Sequence, residues 1–198
     1  MAISYQLSVP SALKVAKIRF TPKTVVGMSQ AANTGQQQVQ EHQGQWWELE
    51  ITTPPLSRAT GAAVFGFLAA LNGRLGTFQM GDSVGVNPTG SIAGTVQVGA
   101  GATLGSTTLP LQGGSGLFAV GDWLQVSTSL YMVTQVNSGA GTVDVFPRLR
   151  AAYAQTTAVT YNNALGTWRL VDSVPFEADV TKIYGGLTIS AIEVVPIT

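Results

Sequence analysis

TVQVGA at 95–100, TTLPL at 107–111, FAVGDWLQV at 118–126, LYMVTQV at 130–136, GTVDVFP at 141–147 and AVTY at 158–161 form a run of short apolar segments separated by glycine-rich turns. Runs rich in β-branched and aromatic residues, bounded by Gly, Asp and Pro, read as strands. Several of them in close succession, none long enough for a helix, predict a small closed or nearly closed β barrel over residues 95–161. Gly81-Asp82 and Gly121-Asp122, each at the end of a hydrophobic segment, read as turns.

On the N-terminal side, SVGVNPTGSIAG at 83–94 is rich in Gly and carries a Pro, so it reads as the boundary of an insertion. Before it, LGTFQMGD at 75–82 is a short strand. One helix is predicted over 57–72: Ser57 or Thr60 can cap it, Val64, Phe67, Leu68 and Leu71 recur at helical spacing, and Asn72-Gly73 can close it. WWELEITT at 46–53 alternates Trp47, Leu49 and Ile51 against Trp46, Glu48 and Glu50, the pattern of a strand with one buried face, and stops at Pro54-Pro55.

The polar, Gln-rich stretch SQAANTGQQQVQEHQGQ at 29–45 reads as a mobile loop or a flattened hairpin arm, ordered mainly by a neighbouring subunit. Residues 4–30 read as two opening strands, one around Leu13, Val15, Ile18 and Phe20 and one over Thr24 to Met28 after Pro22. TWRLV, PFEADVT and LTISAIEVV supply the last strands. The expected fold is therefore mostly β, a β-sandwich with one packed α-helix made by 1–94 plus 162–198, interrupted by a small barrel-like module at 95–161.

Ten Lys and Arg balance ten Asp and Glu among 198 residues, and charged residues make up only 10% of the chain, with 23 glycines and a mean hydropathy of +0.25. Ordinary soluble domains carry about 25% charged residues, so solubility here does not come from charge, and much of the surface is expected to be covered by other subunits. The densest basic stretches, Lys14 to Arg19 and Arg148 to Arg150, do not make a groove for phosphates, so nucleic acid is not an expected partner. With no cysteine, disulfides, thiolate zinc sites and cysteine nucleophiles are excluded. No secretory signal is read at MAISYQLSVPSALKVAK, and no apolar run reaches the roughly 18 residues of a membrane span.

Catalytic chemistry finds little material. His42 is the single histidine and lies in the Gln-rich stretch beside Glu41, where a triad or metal site would depend on it alone. Glu177 and Asp179 would share a strand face as a glycosidase pair does, without an aromatic sugar platform, and read better as a solvent-facing pair. Gly99, Gly101 and Gly105 lack the Lys-Ser or Lys-Thr and the helix of a phosphate loop. Asp82, Asp122 and Asp144 lack the carboxylate spacing of a calcium loop, and turn geometry accounts for the first two. Trp46, Trp47, Trp123 and Tyr131 read as core or interface, with a carbohydrate-stacking surface as the alternative function. Arg58, Arg74, Arg148 and Arg150 are scarce charges suited to solvent, to helix and turn contacts or to intersubunit pairs. No enzyme activity, cofactor or metal is expected.

The stretch PPLSRATGAAVFGFLAALNGRLGTFQMGDSVG at 54–85 resembles a region of the distal tail and related minor tail proteins of siphovirus-type, long-tailed bacteriophages. The resemblance rests on the helix followed by a strand ending in Gly-Asp, and continues through FAVGDWLQV, LYMVTQVNSGAGTVDVFPRLR and GGLTISAIEVV, about two thirds of the chain. It implies a β-sandwich with a packed helix, assembled as a homohexameric ring between the tail tube and the tail-tip hub, fibre or other receptor-binding proteins. It also implies a place in the virion tail tip after assembly in the host cytoplasm.

Overall fold

The computed structural model describes residues 5–175 and 183–195. In chain order the elements are β1 (Leu7–Ser8), β2 (Lys17–Gln30), β3 (Gln37–Thr52), β4 (Leu56–Ser57), α1 (Arg58–Ala70) and β5 (Phe78–Met80). Then come β6 (Ala93–Val98), β7 (Thr108–Ser115), β8 (Trp123–Val126), β9 (Ser129–Asn137), β10 (Thr142–Phe146) and β11 (Ala158–Thr160). The chain returns through β12 (Gly166–Leu170), β13 (Ile183–Tyr184) and β14 (Thr188–Glu193).

Six strands make one sheet in the order β1-β5-β12-β14-β3-β2, antiparallel except for β1 beside β5. Its buried face carries Trp47, Leu49, Ile51, Phe78, Trp168 and Ile189, the period-2 set that the WWELEITT alternation predicts for β3. Helix α1 covers this face. Ser57 Oγ accepts a hydrogen bond from the Thr60 backbone N–H at 3.3 Å, so Ser57 is the cap, and Asn72 and Gly73 at φ 50° and 63° turn the chain away at the other end. Val64, Leu68 and Leu71 are buried against the sheet, and Phe67 meets Phe78 edge-on with ring centroids 5.9 Å apart. The β4–β13 ladder lies beside the helix, and one wall of the barrel completes this second layer.

The strands from Ala93 to Thr160 close into a six-stranded barrel in the order β10-β7-β6-β11-β8-β9, which the short alternating segments predict. Val98, Leu109, Leu124, Val126 and Val133 fill its interior, and all are fully buried. The barrel does not hang from the sheet as a separate bead. Trp123 and Leu130 belong to the core of the sheet, where the Trp123 ring centroid sits 4.8 Å from that of Phe20 and 5.1 Å from that of Trp47. Phe146 meets Trp47 edge-on at 4.9 Å. Contacts of this kind add about 0.5–1.5 kcal/mol each beyond area burial, so an aromatic seam fixes the two modules to each other.

One expectation needs correction. Residues 17–30 are a single strand that runs straight through Pro22, not two segments broken by it. β2 is the outermost strand of its sheet, and an edge strand accommodates proline because alternate N–H groups point away from the partner.

Candidate functional site

β14 pairs with β3 only over Glu48–Thr52, whereas β2 stays paired with β3 out to Gln30 and Gln37. The outer half of the β2–β3 hairpin is therefore a two-stranded arm projecting beyond the sheet. Its tip closes through Ala31 N–H to Gln36 O at 2.9 Å and Gly35 N–H to Ala31 O at 2.9 Å. The Gln-rich stretch is thus the hairpin arm, the second of the two readings of 29–45. A register shift between Thr24 and Val26, which sets Val25 alone against the stretch between Glu41 and Gln45, marks the point where the arm leaves the sheet.

Both faces of the arm are exposed from Thr24 to Gly44. Met28 and Val39 are cross-strand partners, and Val26 pairs with Glu41 on the same face. Val26, Met28 and Val39 are 49%, 64% and 61% exposed. An isolated two-stranded hairpin is marginal in water, and here these three apolar side chains, with Val25 at the register shift, lie on it exposed.

Arg148, just beyond β10, props the root of the arm. Its Nη2 donates to Glu41 Oε1 at 2.5 Å, its backbone N–H to Gln45 Oε1 at 2.9 Å, and its Nη1 to the Gly105 carbonyl at 3.3 Å. Among the described residues, the buried side-chain N–H groups without an acceptor are Arg148 Nε here, Trp46 Nε1, and Trp47 Nε1 in the aromatic seam. Each such donor carries a desolvation cost of about 1–3 kcal/mol.

Two residues on, Arg150 enters a buried network. Its Nε and Nη2 donate to Glu193 Oε1 and Oε2 at 3.3 and 2.7 Å, and Glu193 Oε2 also accepts from the Trp47 backbone N–H at 3.0 Å. The Arg150 backbone N–H donates to Tyr131 Oη at 3.0 Å, and Tyr131 Oη lies 2.7 Å from Tyr153 Oη. Burial pushes the Glu193 carboxyl above the ordinary carboxylate range, with Arg150 pulling it back down. Burial also raises the Tyr131 phenol, and Tyr153 adds to the shift. The network joins barrel to sheet.

The remaining candidates disperse. His42 is exposed on the arm, and the neighbouring Glu41 turns to Arg148. Trp47, Trp123 and Tyr131 are buried, at 3%, 9% and 0% exposure, so with half-buried Trp46 they make no stacking surface for sugar. Arg58 and Arg74 are exposed. Asp82 Oδ1 accepts from the Val84 N–H at 2.9 Å, as a turn residue does, and Asp144 accepts from Thr108 Oγ1 at 2.6 Å. Gly99 packs beside Pro110, while Gly101 and Gly105 turn the chain at φ 89° and 78° before β7. Glu177 and Asp179 lie outside the described residues. Among the described residues no group of three His, Cys, Asp or Glu side chains converges to hold a metal ion, and no helix is long and apolar enough to cross a membrane.

Asp122 holds a role the sequence reading missed. It is 3% exposed and accepts from the Thr89 N–H at 2.6 Å, Thr89 Oγ1 at 2.8 Å, the Gly90 N–H at 3.2 Å and the Ala119 N–H at 2.7 Å. It therefore ties the segment entering the barrel to the turn before β8, far more than a turn residue does. No family model and no curated protein matches the chain.

Proposed function

We propose that this chain is a structural subunit of a bacteriophage tail tip or baseplate, forming a ring that joins the tail tube to the receptor-binding apparatus. The observation that carries the reading is the projecting arm, whose exposed Val26, Met28 and Val39 need a cover that the chain itself does not provide. An adjacent copy in a ring supplies one. β2 also presents an open edge, charged and interrupted by Pro22 over Lys17–Lys23 but neutral over Thr24–Gln30. Charge and proline protect a sheet edge against pairing, and that protection stops where the arm begins. The overall scarcity of charge and the resemblance to distal tail proteins agree with this role.

The arm is tested by the double substitution Met28→Asp and Val39→Asp. Both positions are exposed, so the subunit is expected to keep its own fold and thermal transition, while the ring expected of the unaltered chain falls to monomer in sedimentation velocity. An altered chain that assembles as well as the original contradicts the proposal.

A further inference from the structure

At one end of the barrel, the interior opens into a cavity of about 120 Å³. Val96, Phe118 and Val143 are its buried floor, and Ile92, Leu111 and Val136 its half-buried walls. The opening has a local cause. The β6–β7 pairing shifts register between Ala93 and Val96, and bulges of this kind splay barrel rims. Opposite, β7 runs into Gly113 and Gly116 at φ 73° and 80°. A Cβ on Gly113 would stand 2.7 Å from the Thr95 carbonyl oxygen, and one on Gly116 2.2 Å from that of Ser91. These glycines let the backbone close on the lip without filling the space behind it.

We propose that this cavity is a binding site for one neutral, monocyclic aromatic group. Its lining holds no ionisable side chain, and its polar members are backbone groups and the side chains of Asn137, Ser138 and Thr142. A charged ligand would lose its hydration there without gaining a partner. An enclosed apolar cavity of about 150 Å³ takes up benzene, and this one, open to solvent at its mouth, has room for one such ring and not two. A free small molecule and an aromatic residue of a polypeptide offer the same ring, and two probes tell them apart.

Phenol and N-acetylphenylalaninamide are titrated separately into the ¹⁵N-labelled full chain, with benzoate as the charged comparison. Phenol is expected to shift the amides of Val96, Leu111, Phe118 and Val143 saturably, with a dissociation constant on the order of 1 mM for so small a ligand. Benzoate is expected to bind at least about tenfold more weakly. Binding of both neutral probes makes an aromatic residue of a polypeptide the natural occupant, and binding of phenol alone makes it a free small molecule. Val136→Trp and, independently, Ile92→Trp fill the cavity from two walls and should abolish the shifts in whichever variant stays folded. Unsaturated or scattered shifts up to about 20 mM phenol, or unchanged binding in a folded, filled variant, overturn the proposal.

Discussion

Arg150 Nη2 lies 2.7 Å from Glu193 Oε2, and both side chains are almost wholly withdrawn from solvent, one following the barrel's β10 and the other on strand β14 of the sheet. Removing one partner strands the other charge in the seam between the modules. Arg150→Met alone and Glu193→Leu alone are each expected to cost about 3–5 kcal/mol, whereas the double substitution should cost only about 1–3 kcal/mol, for the Trp47 N–H left without its acceptor. A double-mutant cycle in urea checks this, and additive losses would show that the pair is not the unit it looks like.

The same carboxylate predicts a pH dependence. Glu193 has its folded pKa raised above the ordinary value of 4.5, first by burial. The folded state therefore holds this proton more tightly than the unfolded chain does. Its contribution to stability is fully present below the unfolded pKa and is lost as pH rises through the raised folded pKa. The stability of the unaltered chain minus that of the Arg150→Met, Glu193→Leu double variant should fall as pH is raised from about 4.5 through this window. A difference that rises with pH would reverse the assignment.

Asp122 gathers its donors around a buried carboxylate, so Asp122→Ala should cost about 2–4 kcal/mol by leaving several of them unpaired. Amide exchange at Thr89, Gly90 and Ala119 should speed up more than exchange in the β2–β3 hairpin. Because the carboxylate oxygens already accept from N–H and O–H groups, added calcium should leave the melting temperature of the unaltered chain unchanged.

Leu68 on α1 packs into the core of the sheet. Leu68→Ala should cost about 2–5 kcal/mol in unfolding free energy, measured by denaturant titration. A value near zero would move the helix off the sheet.

Much of this fold was legible because its signals are local. The Val64, Leu68 and Leu71 spacing and the Ser57 cap lie within one helix, and the barrel strands announce themselves by alternation between glycine turns. What sequence reading missed depends on partners far along the chain. Asp122 and Thr89 are 33 residues apart, and Arg150 and Glu193 43, so a turn-like Asp and a surface-like Arg gave no sign of burial. Pro22 suggested a break because sequence alone does not say which strand lies at an edge. The arm was half visible: polarity marked 29–45 as outside the core, but polarity alone does not separate a loop from a solvated hairpin.

The proposed tail-ring role requires this subunit to assemble with copies of itself. Multi-angle light scattering of the purified full chain over a concentration series measures that directly. A discrete hexamer is the predicted result, and a monomer at every concentration would contradict it.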